Sequence, residues 1–203
     1  MGYPYPGTDK SGHAIPSSDT IPNLTRTSKG KIFCKALSSF HAIRFDDVKN
    51  LLASYRKGRF YRSTDGYFKN SRGQYVFLEF KRSRIASLQA IGRNGKKPPT
   101  IQVSLRQKAI DSLSVAAYTE LRQVPMATIQ SNAVLIVVHM DDPKNPSLQK
   151  MGNQLRALGT SSKSPPPTAI LWGLAPLKND GFFSEVFTWP ESVFVAQAST
   201  YLV

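Results

Sequence analysis

The feature that most constrains this chain is the run Gln74-Tyr75-Val76-Phe77-Leu78-Glu79-Phe80-Lys81. Aromatic and β-branched side chains dominate it, which predicts a strand. Side chains alternate along a strand, so Phe77, Glu79 and Lys81 share one face and Val76, Leu78 and Phe80 the other. A carboxylate and an ammonium therefore point the same way out of a core-like segment. Such a placement costs desolvation energy unless the charges pair or meet a metal. Just upstream, Asn70-Ser71-Arg72-Gly73 is turn chemistry, so Tyr67-Phe68 and Tyr75-Val76 are expected to close a β-hairpin. The hairpin brings Asp65 back beside Glu79. Two carboxylates and a lysine would then meet at one end of a sheet. Hard oxygen ligands suit Mg2+ or Mn2+, and the lysine can orient or deprotonate an attacking water.

Charge surrounds this stretch. Between Arg26 and Lys108 there are 20 Lys/Arg against 4 Asp/Glu, whereas the rest of the chain has 7 against 9. A polyanion held on the basic block gains affinity by counterion release, and its binding weakens steeply with salt. Nucleic acid is the expected partner. The lone Cys34 excludes an internal disulfide and a cysteine-based zinc site, which fits a reducing, cytoplasmic setting. No stretch approaches the ~20 apolar residues of a membrane span, and the N-terminus lacks the apolar segment of a signal peptide.

Residues 1 to about 30 hold Tyr-Pro-Tyr-Pro-Gly, further prolines and many Ser/Thr, and read as a flexible arm or loosely packed extension before a single α/β domain over 31–203. Lys31 to Leu37 fits a strand or a short helix. Phe45 to Tyr55 carries Val48, Leu51, Leu52 and Tyr55 at helical spacing, with Asp46 and Asp47 in the first turn. The segment after Lys81, through Arg82, Arg84, Arg93, Lys96 and Lys97 to Pro99, is a basic loop that either grips phosphates or is simply solvated. A helix is predicted from Gln102 to Leu121, with Leu105, Ala109, Leu113, Ala116 and Ala117 as its apolar stripe. Gln102, Arg106 and Lys108 are polar positions near its start. Asp111 reads as a surface or capping partner.

Asn132 to Met140 is continuously apolar, as a central strand covered on both faces must be. Asp141-Asp142-Pro143 then reads as a turn, and His13, His41 and His139 lack partners at metal-ligand spacing. Residues 144–156 are helix-compatible, and Thr168 to Leu174 and Phe182 to Trp189 are predicted strands. Pro190-Glu191 opens a last helix. A long helix between two apolar strands implies a crossover, hence a mixed central sheet with helices packed on it.

This order, with Ser63-Thr64-Asp65 followed fourteen residues later by Glu79-Phe80-Lys81, resembles the PD-(D/E)xK, or restriction-endonuclease-like, nuclease superfamily. The likeness covers about Phe45 to Met140. It implies an αβββαβ core, here with a C-terminal strand-strand-helix extension, and Mg2+-dependent phosphodiester hydrolysis on DNA. In that pattern Asp65, Glu79 and the backbone carbonyl of Phe80 hold the metal while Lys81 positions the water. Many members add a glutamate from the first helix, but no glutamate precedes Glu79 here; Asp46 or Asp47 stands nearest that role, with a shorter side chain. Gln102 or Arg106 stands where some members place a polar residue near the metal. Arg59, Arg62, Arg82, Arg84, Arg93, Lys96, Lys97 and Arg106 are the expected nucleic-acid contacts. Many nucleases of this type work as homodimers, although no interface is legible in the sequence.

A plainer reading stands beside this one. Asp65 caps a turn, Glu79 and Lys81 form a same-face pair on a solvated edge strand, and the chain is a non-catalytic basic module that binds nucleic acid. A surface pair of that kind is worth only ~0 to 1 kcal/mol.

Overall fold

A computed structural model describes residues 18–26, 32, 34–35, 37–48, 62–81, 101–120, 125–139 and 173–202. Among the described residues six strands form one sheet in sequence order: β1 (Ser18–Thr20), β2 (His41–Arg44), β3 (Gly66–Lys69), β4 (Tyr75–Lys81), β5 (Ala133–His139) and β6 (Glu185–Pro190). β1 to β4 are successively antiparallel, whereas β4, β5 and β6 run parallel. Among the helices, α1 (Ile21–Leu24) follows β1, and residues 45–48 are helical directly after β2. The crossover from β4 to β5 contains α2 (Ile101–Glu120) and α3 (Met126–Asn132), while α4 (Ala175–Asn179) and α5 (Glu191–Tyr201) flank β6. The molecule is thus α/β, a mixed sheet with helices packed on it, as expected.

The hairpin forms at the turn its residues dictate. Asn70 Oδ1 accepts the backbone N–H groups of Arg72 (3.1 Å) and Gln74 (2.9 Å), and Gly73 takes φ +77°, where a Cβ would be strained. Tyr67 then pairs with Phe77 and Phe68 with Val76. Alternation along β4 divides the core as the period of two requires. Tyr75 and Phe77 enter one cluster with Phe45, Tyr67, Leu105, Ala109, Leu113, Leu135 and Phe183. Val76, Leu78 and Phe80 enter the other, with Ile21, Ile136, Trp189 and Phe194. The apolar stripe of α2 therefore covers the face that carries Glu79.

Three expectations need correction. Residues 18–26 are not an arm: β1 is hydrogen-bonded to β2, Ile21 is fully buried, and Asp19 accepts from the Arg44 guanidinium. Residues 1–17 lie outside the described residues. Between Lys31 and Leu37, Ile32 makes only an isolated bridge to Arg26, and Leu37 turns back with φ +62°, so the described part is neither strand nor helix. The strand expected to end at Leu174 does not reach it, because Gly173 lies in a turn with φ +61° and Leu174 caps α4; residues 168–172 lie outside the described set.

Candidate functional site

The site lies where β3 begins and β4 ends. β4 is flanked by β3 and β5 and is no edge strand, so Glu79 lies inside the fold, only 1% exposed. Gly66 pairs with Leu78 across the ladder, which sets the preceding Asp65 on the Glu79 face. Asp65 Oδ2 accepts the N–H of Phe80 at 2.7 Å, and its carbonyl accepts the N–H of Phe45 at 3.3 Å. The side chain is thus turned onto the end of β4 rather than spent on its own turn.

A buried carboxylate needs compensation, and Glu79 receives it from two lysines. Lys108 Nζ donates to both carboxylate oxygens, at 2.8 and 3.1 Å, and Lys81 Nζ pairs with Oε1. The lysine side chains are 22% and 25% exposed for Lys81 and Lys108, so the cluster is open to solvent on their side. Asp65 has less help. Burial first, and the Glu79 charge second, push its carboxyl up to about 7, against the pull of Lys108, the Phe80 N–H and Lys81. For Lys108, burial opposes the charge, but Glu79 and Asp65 outweigh it and hold the ammonium above the usual lysine range.

Helix α2 assembles this cluster. Its positions 104, 108, 111 and 112 recur at helical spacing and form a polar stripe beside the apolar one. Ser104 Oγ accepts from Arg62 Nη1 at 3.2 Å, and Asp111 Oδ2 accepts the Arg62 backbone N–H at 2.9 Å. Ser112 is completely buried; its Oγ accepts the Thr64 N–H at 2.8 Å and donates to Thr64 Oγ1 at 3.3 Å. The stripe thus holds residues 62–64 in place and delivers Lys108 to Glu79. The sequence marks Lys108 as a polar position and Asp111 as a surface or capping partner, and assigns neither Lys108 nor Ser112 to the acidic site. The signal was the i, i+4, i+7, i+8 spacing of polar residues on a helix whose other stripe is apolar.

Asp65, Glu79 and Lys81 are therefore brought together, and the other candidates fare differently. Asp46 accepts from Ser63 Oγ at the start of the helical residues 45–48 and contributes to the charge felt by Lys108. No group of three or more His, Cys, Asp or Glu side chains fit to hold a metal occurs among the described residues, so neither Asp46 nor Asp47 completes a ligand set with Asp65 and Glu79. Arg106 is not a free phosphate contact: its Nε donates to the Gly173 carbonyl at 2.7 Å and its Nη2 to the same oxygen. Arg62 is exposed and donates from Nη1 to Ser104. Gln102 falls in the first turn of α2. Arg59, Arg82, Arg84, Arg93, Lys96 and Lys97 lie outside the described residues.

Two carboxylates match the habit of Mg2+, which binds through one or two carboxylates and keeps several waters. The donor set fits such an ion in kind, through Asp65 and Glu79. Comparison of the chain with protein-family models, with curated proteins and with solved structures finds no match. No described helix is long and apolar enough to cross a membrane.

Proposed function

We propose that the chain is a Mg2+-dependent nuclease acting on DNA, with Asp65 and Glu79 as metal ligands and Lys81 as the residue that orients the attacking water. The observation that carries this reading is the convergence of Asp65, Glu79, Lys81 and Lys108 on one buried face, at the carboxyl end of a central strand. Crevices at the carboxyl ends of parallel strands are where open α/β sheets bind their ligands. When bound, the metal supplies Lewis acidity to the scissile phosphate and acidifies water. The chain's own residues do the rest. Asp65 and Glu79 bring two negative charges to one point, and Asp65 binds a cation only in its ionised form. Lys81, paired with Glu79 yet partly exposed, can hold a water by hydrogen bonding and offset charge developing on the phosphate. The basic block between Arg26 and Lys108 supplies the field that gathers a polyanion.

A second reading is favoured by one observation: both Glu79 oxygens are already satisfied by ammonium groups. A closed ion cluster of this kind can serve architecture alone, leaving a basic nucleic-acid-binding module without catalysis. Calorimetric titration of Mn2+ into wild type and Glu79→Ala, alongside plasmid nicking, separates the two. Metal binding and nicking that both disappear in Glu79→Ala support the nuclease. Salt-dependent DNA binding with neither metal binding nor nicking in the wild type supports the binding module.

A further inference from the structure

We infer that Lys108 is a resident cation competing with the divalent metal for Glu79, and that metal loading frees its ammonium for a phosphate. The inference rests on the nuclease reading above. Lys108 engages both oxygens of a carboxylate that is 1% exposed, at 2.8 and 3.1 Å, while Lys81 pairs with one of them. A carboxylate has about four acceptor sites, so Lys81 alone leaves room for a further cation. Two ammonium groups and a divalent ion crowded on one buried carboxylate repel one another strongly. The group able to yield is Lys108. Its ammonium ends a flexible four-carbon stem, and the side chain is one quarter exposed. The helix beneath it need not move, because Asp111 holds the Arg62 N–H and Ser112 holds Thr64. Lys81, by contrast, projects from β4 itself, two residues from Glu79.

With Asp65 ionised, as cation binding requires, Asp65 and Glu79 balance Lys81 and Lys108 in charge, and a divalent cation leaves the cluster positive. A positive site with an uncommitted ammonium favours a phosphate anion. Metal affinity is thereby held down until an anionic substrate can take up the displaced lysine. Before metal loading Lys108 acts through Glu79, and after it the freed ammonium meets the phosphate directly.

The test is Mn2+ titration, by calorimetry and by electron paramagnetic resonance, into wild type, Lys108→Gln, Lys108→Arg and Glu79→Ala, with thermal melts confirming that each is folded. Lys108→Gln keeps a hydrogen-bond donor and removes the charge. It is expected to bind Mn2+ about tenfold more tightly, the scale on which one adjacent opposite charge alters cation affinity at a carboxylate. Lys108→Arg keeps a cation on Glu79 and is expected to bind no more tightly than wild type. Equal or weaker binding in folded Lys108→Gln overturns the inference alone, as does tighter binding in Lys108→Arg, which is informative even if Lys108→Gln does not fold. Absence of Mn2+ binding in wild type and both Lys108 variants overturns the inference together with the nuclease reading.

Discussion

Asp65→Asn should stabilise the fold, and increasingly so as pH rises. The Asp65 carboxyl is pushed from 3.8 up to about 7 by burial and by Glu79. Its folded pKa lies above its unfolded one, so the folded state binds more protons than the unfolded state between those values. Stability then falls as pH rises through that window. One pKa unit corresponds to ~1.4 kcal/mol, so the whole window amounts to about 4 kcal/mol. Between about pH 5.5 and about pH 8.5, roughly 2 kcal/mol of it is traversed. Asparagine cannot ionise, yet its Oδ1 can still accept the Phe80 N–H, so the substitution isolates the charge. Urea unfolding of both proteins, with chelator present to prevent stabilisation by a bound cation, should show the variant's advantage growing by about 2 kcal/mol between those two pH values. An advantage that does not change with pH, or a variant less stable than wild type at the higher pH, would refute the reasoning. Lys81 and Lys108 would then be compensating Asp65 as fully as they do Glu79.

The scaffold makes further predictions. Ser112→Ala leaves the buried Thr64 N–H without its acceptor and should cost about 1–3 kcal/mol in urea unfolding, with weakened Mn2+ binding if the segment carrying Asp65 loosens. Phe77 packs against Phe45, Tyr67 and Phe183 at ring separations of 5.8, 5.1 and 5.6 Å, so Phe77→Ala should cost about 3–5 kcal/mol by the same measurement. Gly73→Ala places a Cβ in the left-handed region at the hairpin turn, where the surrounding space is open. A backbone cost near 1 kcal/mol, without loss of packing, is expected from thermal melts. Arg106→Ala should lower stability by releasing the Gly173 carbonyl, while leaving the salt slope of DNA binding unchanged in filter binding.

Much of this protein follows from local pattern alone. Alternation along Tyr75 to Lys81, the Asn70–Gly73 turn and the unbroken apolar run of β5 each act over a few residues, where period and turn chemistry decide the outcome. The hairpin then sets Asp65 beside Glu79 across a separation of only fourteen residues. That Glu79 is buried and not on an edge was decided by β5, which pairs with β4 after a long crossover. The lysine that meets Glu79 came from 29 residues away, and the hydroxyl that pins Thr64 from 48. Those partners depend on how α2 docks on the sheet, and periodicity identifies the faces of a helix without saying what lies opposite them. Arg106 illustrates the same limit: its charge suggested a phosphate contact, and only the approach of Gly173, 67 residues on, turned it into a tether. Residues 18–26 do so from the other side, since their polar, proline-containing composition conceals a strand whose stability comes from β2 and from Arg44. The sequence by itself determined the central hairpin, the long helix and the pair of acidic residues. Tertiary docking decided which charges compensate them, because the energy of a buried carboxylate is set by whatever cations the fold brings within reach.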